Sequence, residues 1–215
     1  MENVSQQNTF VEFLLDGNRA AASEHVKQQL EAGMSVKHIY EDIIKVSLYR
    51  VGELWEYNQI TVAEEHTATS IAEAVMNELY GSIVSRKRVD QKAVLACLEN
   101  ETHQVGIKMV ADMFEMKGWD TFFPGADTPV TELIRYIDKI KPQVIALSAS
   151  VYFHLPLLEE TIQRIRHTFP NIPVLIGGQA FRHGGKDMAG KHRRVVFIEN
   201  LSDLEVYINN YNHHG

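Results

Sequence analysis

Glu101, Thr102 and His103 lie in the stretch Glu99-Asn100-Glu101-Thr102-His103-Gln104-Val105-Gly106, directly after the apolar run 93–98. An imidazole at a strand end points out of the fold and is a good ligand for a first-row transition metal. A carboxylate two residues earlier can fix the ring tautomer and raise its basicity. Gly106 removes a side chain where the backbone turns into a helix or approaches a ligand closely. Taken alone, E-x-H-x-x-G is weak, because loop histidines are more often solvated than metal-bound. Two further strand ends carry suggestive groups. Ser148-Ala149-Ser150 offers hydroxyls that either donate to a ligand or cap the chain. Gly177-Gly178 either lets a flat group lie on the backbone or makes a tight strand-to-helix turn.

The elements that must position these groups fall into two parts. Up to about residue 85 the pattern is helical. An apolar segment at 10–15 is broken by Asp16-Gly17-Asn18, and helical spacing over 19–30 ends at Ala32-Gly33. Ser35 then caps a long helix whose core face includes Val36, Ile39, Tyr40, Ile43, Ile44, Val46 and Leu48. After a break at Asn58, Thr61-Val62-Ala63-Glu64 reads as a capping box opening a fourth helix through Ile71, Ala74, Val75 and Leu79. The spacing predicts a four-helix bundle over 1–86.

Beyond the basic residues Arg86, Lys87 and Arg88, strand-length runs at 93–98, 119–123, 144–147, 174–176 and 195–198 alternate with helical patterns at 106–116, 131–140, 157–169 and 201–208. This alternation predicts an α/β fold, a doubly wound parallel sheet over 91–215. Ligands of such sheets bind outside the carboxyl ends of the strands, where the His103, Ser148 and Gly177 loops all fall.

The three loops together resemble the cobalamin-binding Rossmann-like domain, whose pattern is D-x-H-x-x-G, then S-x-L, then G-G. Both spacers here, residues 107–147 and 151–176, have the family's lengths, and the resemblance covers 92–210. It implies that His103 is the lower axial ligand of cobalt, with Glu101 behind it. It also implies a nucleotide tail of cobalamin beside Ser148, Ser150, Gly177 and Gly178. Glu101 stands where most of the family has aspartate, and Ser150 where it has leucine.

Trp55, nine intervening residues, then Glu65-His66 resembles the helical domain of adenosylcobalamin-dependent light sensors, which are attached to MerR-type DNA-binding domains. Those sensors also tend to carry glutamate in the cobalt-ligand loop. The resemblance implies that Trp55, Val62, Glu65 and His66 cover the upper face of the corrin around the adenosyl group. Some of these sensors have a histidine directly after the tryptophan; here it is Glu56. Water or hydroxide is then the expected upper ligand once adenosyl is lost, with His38 or His66 as the alternative where the bundle places one suitably.

The expected function is a cobalamin-binding photoreceptor and signalling protein in transcription regulation. It responds to light through the Co–C bond of adenosylcobalamin and acts through a homo-oligomer or a regulatory protein partner. Methylcobalamin and hydroxocobalamin are the other forms considered. A corrinoid carrier subunit of a methyltransferase is the alternative. The formal charge of -7 argues against direct nucleic-acid binding, which relies on neutralising phosphates. The basic stretch 182–194 reads as solvated surface. Its single cysteine, Cys97, excludes an internal disulfide, no apolar run reaches the length of a membrane span, and the polar start lacks a signal-peptide pattern. The expected setting is cytoplasmic, with no DNA-binding segment ahead of the bundle.

Overall fold

A computed structural model describes residues 2–85 and 87–214. Arg86 and the outermost residues of the two predicted domains, Met1 and Gly215, lie outside the described residues. The chain divides into two compact units, Met1–Ile83 and Val84–Gly215.

The first unit is helical. Helix α1 (Glu2–Leu15) stops at Gly17, whose φ of +67° favours glycine. Asn18 caps α2 (Arg19–Glu31) by accepting from the Ala21 amide at 3.1 Å. The Ser35 hydroxyl accepts from the His38 amide at the start of α3 (Val36–His38), which continues through a π-helical stretch, Ile39–Ile44, into α4 (Lys45–Glu56). The chain breaks at Asn58 (φ +55°), and the Thr61–Glu64 capping box opens α5 (Val62–Ile83). In that box the Thr61 amide donates to Glu64 Oε2 at 2.7 Å and the Glu64 amide to Thr61 Oγ1 at 3.2 Å. Phe10, Leu14, Val26, Ile43, Val75 and Leu79 are buried in the bundle core.

One core expectation is corrected. Val46 is 37% exposed, and Ser47 is buried in its place. Steps of four from Ile43 and three from Ile44 lead to position 47, so the helical period puts Ser47 on the inward face although its side chain is polar, and leaves the apolar Val46 beside it.

The second unit is a five-stranded parallel sheet, β1 (Lys92–Cys97), β2 (Asp120–Phe122), β3 (Val144–Ser148), β4 (Val174–Gly177) and β5 (Val195–Phe197), in the order β2-β1-β3-β4-β5. Helices α6 (Val105–Met116), α7 (Val130–Ile140), α8 (Leu155–Thr168), α9 (Met188–Lys191) and α10 (Leu201–His214) connect and follow the strands. Strands β1 and β3 are buried along almost their whole length, as a sheet covered on both faces requires.

The predicted second strand loses a residue at each end, Trp119 and Phe123. Trp119 turns into the core between Phe114 and Tyr211 (ring centroids 5.0 and 5.2 Å apart), and its indole N–H donates to Asn212 at 3.0 Å. The basic stretch is paired locally at the surface: Lys186 with Glu199, Lys191 with Asp187 and His192 with Glu159. Cys97 is buried, and burial pushes its thiol up to about 12, which leaves it inert. No helix among the described residues is long and apolar enough to cross a membrane.

Candidate cofactor site

With strand order 2-1-3-4-5 the order of strand addition reverses between the parallel strands β1 and β3, and the crevice at their carboxyl ends is where such sheets bind ligands. The register brings Cys97, Ser148 and Gly177 side by side on three adjacent strands. The loops that carry His103, Ser150 and Gly178 therefore leave the sheet at one level.

Glu101 is the hub. Its side chain is wholly buried, and both carboxylate oxygens are occupied. Oε1 accepts from the His103 amide at 3.1 Å and lies 2.5 Å from His103 Nδ1. Oε2 accepts from the Ser150 and Val151 amides at 2.9 and 3.2 Å and lies 3.2 Å from His154 Nδ1. Burial pushes the carboxyl pKa up, but the His103 ring and the Ser150 and His103 amides outweigh it and hold it at about 2. The loop itself is fixed from the other side. Asn100, at φ +64°, donates its amide to Asp127 at 2.7 Å, and the Asp127 amide donates to the Glu101 carbonyl at 3.0 Å.

This carboxylate determines what the imidazole can do. A carboxylate has no proton to give, so Nδ1–H is the donor and Nε2 keeps the lone pair of the neutral ring. The His103 side chain is 56% exposed while its partner is sealed inside. Glu101, where the family pattern has aspartate, bonds to both loops at once.

The other predicted residues of this unit divide by role. Thr102 is exposed, and Gly106 is exposed with no heavy atom within 4 Å of where a Cβ would stand. Ser148 is buried at the strand end. Ser150 contributes its backbone amide to Glu101, a contact that any residue could make, so the departure from leucine costs this bond nothing. Gly178 has φ +115°, and a Cβ there would run into the Ala149 carbonyl. At Gly177 a Cβ would stand 2.9 Å from the Ile198 carbonyl. Backbone crowding between adjacent loops accounts for both glycines.

In the helical unit, Trp55 ends α4 at 50% exposure and Val62 begins α5 at 52%. Glu65 accepts from the Thr69 hydroxyl at 2.9 Å, and His66 Nε2 stands 3.6 Å from Glu65. Sequence reasoning missed His154, which sits in the 3-10 turn Tyr152–His154. Nothing in its sequence surroundings marks it; only the fold brings it to Glu101.

Among the described residues no group of three or more His, Cys, Asp or Glu side chains is placed to hold a metal ion. A single imidazole ligand suits a metal that brings the rest of its coordination sphere in a macrocycle.

Two family models match the chain, both described as a B12 binding domain: one over residues 91–199 and one over residues 6–80. The chain belongs to the B12-binding domain family. As a B12-binding domain protein it is a cobalamin-binding domain protein. It is 27% identical over 179 residues to the HTH-type transcriptional repressor CarH of Myxococcus xanthus, covering 81% of this chain and 59% of the repressor. It is 24% identical over 139 residues to trimethylamine corrinoid protein 1 of Methanosarcina acetivorans, covering 63% of this chain and 64% of that protein. The B12-binding chain thus spans less than two thirds of the length of these curated relatives. Its fold matches the solved Methanosarcina barkeri monomethylamine corrinoid protein with a TM-score of 0.82 at 17% identity, covering 96% of this chain and 98% of that one.

The residues present fit a corrinoid. An imidazole oriented from behind by a buried carboxylate is a sound donor for cobalt, and Gly106 beside it faces open space.

Proposed function

We propose that this protein binds adenosylcobalamin with His103 as the lower ligand of cobalt, and that it is a light-responsive regulator. The reading is carried by the buried Glu101 carboxylate that orients the His103 ring. The cofactor supplies a light-sensitive Co–C bond; the chain supplies its placement. His103 binds and Glu101 keeps the proton on Nδ1. The Gly106 backbone leaves room for the ring system. Ser148 and the turn at Gly177-Gly178 line the sheet edge proposed for the nucleotide tail.

The regulator is favoured over the carrier by the chemistry of Trp55, Val62, Glu65 and His66. Half-exposed apolar groups suit a flat apolar substituent, and a Glu-His pair suits ribose hydroxyls and adenine. The similarity to a transcriptional repressor over 81% of the chain supports the same reading. The similarity to corrinoid proteins, whose fold this chain shares, supports the alternative of a methyl-group carrier.

Mixing the purified protein in the dark with adenosylcobalamin, methylcobalamin or hydroxocobalamin separates the two. The regulator takes up adenosylcobalamin preferentially, and green light changes both its absorption spectrum and its elution volume. Equal or stronger uptake of methylcobalamin, methyl transfer from a donor, and an elution volume indifferent to light contradict the regulator and favour the carrier.

A further inference from the structure

The chain that leads from the helical unit into β1 is tied down before the sheet begins. Arg88 reaches the corner where α6 turns into β2. Its Nη1 donates to Glu115 Oε2 at 2.7 Å, and its Nη2 donates to the Trp119 carbonyl at 2.8 Å and to the Asp120 carboxylate. The backbone follows the same corner. The Val89 amide donates to the Gly118 carbonyl at 2.8 Å, and the Asp120 amide donates to the Gln91 carbonyl at 2.9 Å. The Lys87 carbonyl packs so closely on Gly118 that a Cβ there would run into it. Residues 87–91 therefore form a docked strap between the end of the helical unit at Ile83 and the start of β1 at Lys92.

The strap is well bonded, yet its release strands little. A buried ion pair is costly to open because the partner left behind keeps an uncompensated charge. Here Glu115 retains the Thr121 amide and hydroxyl, at 3.2 and 2.8 Å, when Arg88 leaves. The Arg88 and Asp120 side chains are 38% and 51% exposed, so water screens their attraction and takes over their bonds. None of residues 87–91 is buried, so docking hides little apolar surface. Docking even carries a penalty, since Gln91 Oε1 is buried without a hydrogen-bond partner. Freeing these five residues adds at most about 17 Å of extended chain. We propose that Arg88 is the catch of a releasable latch. Docked, it keeps the tether of the helical unit short; released, residues 87–91 give that unit the slack to leave a cofactor held at His103. The assignment rests on the reading of the helical unit as the cover of that cofactor, and adds a control on how readily the cover lifts.

Two substitutions separate a latch from a staple that supports the whole α/β unit. Arg88→Leu keeps an apolar stem and removes all three bonds, whereas Arg88→Lys keeps the charge and loses the planar fork that spans the acceptors. The first readout is amide hydrogen exchange in the protein without cofactor. The Val89 amide exchanges about tenfold faster or more in Arg88→Leu, with Arg88→Lys between it and wild type, while the amides of β3 exchange as in wild type. Unchanged exchange at Val89 overturns the latch, and so does equal loosening of β3. The second readout is the release of bound adenosylcobalamin in the dark after dilution, which quickens about tenfold in Arg88→Leu if the strap limits uncovering. Unchanged release beside faster Val89 exchange overturns that role. If the wild type takes up no cobalamin at all, the cofactor reading fails, and the exchange measurement alone still decides whether Arg88 latches the strap.

Discussion

The two units hold their candidate residues in different ways. In the α/β unit, Glu101 and the loops around it are sewn into the fold by backbone hydrogen bonds, and the carboxylate at their centre is buried. In the helical unit, Trp55, Val62 and His66 stand on helix surfaces with half or more of their area or side chain exposed. The first arrangement is pre-organised: folding the sheet orients the ligand. The second supplies a surface of suitable chemistry on a scaffold whose own stability lies elsewhere. Substitutions of the buried groups in the α/β site should therefore cost fold and binding together, and substitutions in the helical set should cost mainly binding.

The sharpest contrast is expected at the glycines. Gly178→Ala forces a Cβ against the Ala149 carbonyl in a backbone region reserved for glycine, and is expected to cost about 4 kcal/mol by chemical denaturation. Gly106→Ala meets open space and should leave the denaturation midpoint of the free protein unchanged while weakening cobalamin uptake. Equal destabilisation by both would break the distinction.

Next in size is Glu101→Gln. An amide cannot accept on both sides, so its NH₂ must face either the His103 donors or those of Ser150, Val151 and His154. Unpaired buried donors make a loss of about 2–3 kcal/mol the expected result. Cobalamin affinity should fall about 10- to 100-fold, read by equilibrium titration.

Acid should separate the units. His25 lies against the rings of Phe10 and Phe13 with Nε2 buried and without a hydrogen-bond partner, and burial lowers its pKa below 6.5. The folded helical unit prefers the neutral ring. That contribution is complete above 6.5 and is lost as pH falls from there towards the folded value. Glu101, held at about 2 against an ordinary 4.5, keeps its contribution above 4.5 and loses it only as pH falls towards 2. Hydrogen exchange resolved by unit should show the helices loosening first on acidification, and His25→Leu should flatten that response. Simultaneous loosening of both units would blur the comparison.

The smallest structural effect belongs to Trp55→Ala. Half its surface is already in water, so the helical unit should lose no more than about 1 kcal/mol. Discrimination between adenosylcobalamin and methylcobalamin should diminish, measured by competitive uptake in the dark.

How much of this was legible beforehand follows the same division. Alternating apolar runs announced the parallel sheet because strands buried on both faces must be apolar throughout. Thr61 and Glu64 announced the start of α5, because a capping box is a local device. Val46 and Ser47 misled because composition opposed period: the helical spacing of Tyr40, Ile43 and Ile44 leads to Ser47, while the apolar side chain is the one at Val46. At the site, His103 and Glu101 lie two residues apart and could be read together. His154 lies 53 positions from Glu101, and only the pairing of β1 with β3 makes them neighbours. The glycines illustrate a third case. Their presence was legible, but the Ala149 and Ile198 carbonyls that crowd them belong to neighbouring loops, and only the fold brings those loops together.

The central claim is one imidazole on one cobalt. Electron paramagnetic resonance of the protein loaded with cobalamin and reduced to cobalt(II) counts the axial nitrogen directly, because its nuclear spin splits the signal. With ¹⁵N-histidine incorporated, the splitting should change from the ¹⁴N to the ¹⁵N pattern, and His103→Ala should abolish it. An unchanged ¹⁴N pattern in the labelled protein assigns the nitrogen to the cofactor's own base, and a ¹⁵N pattern that survives in His103→Ala assigns it to another histidine; either contradicts the account.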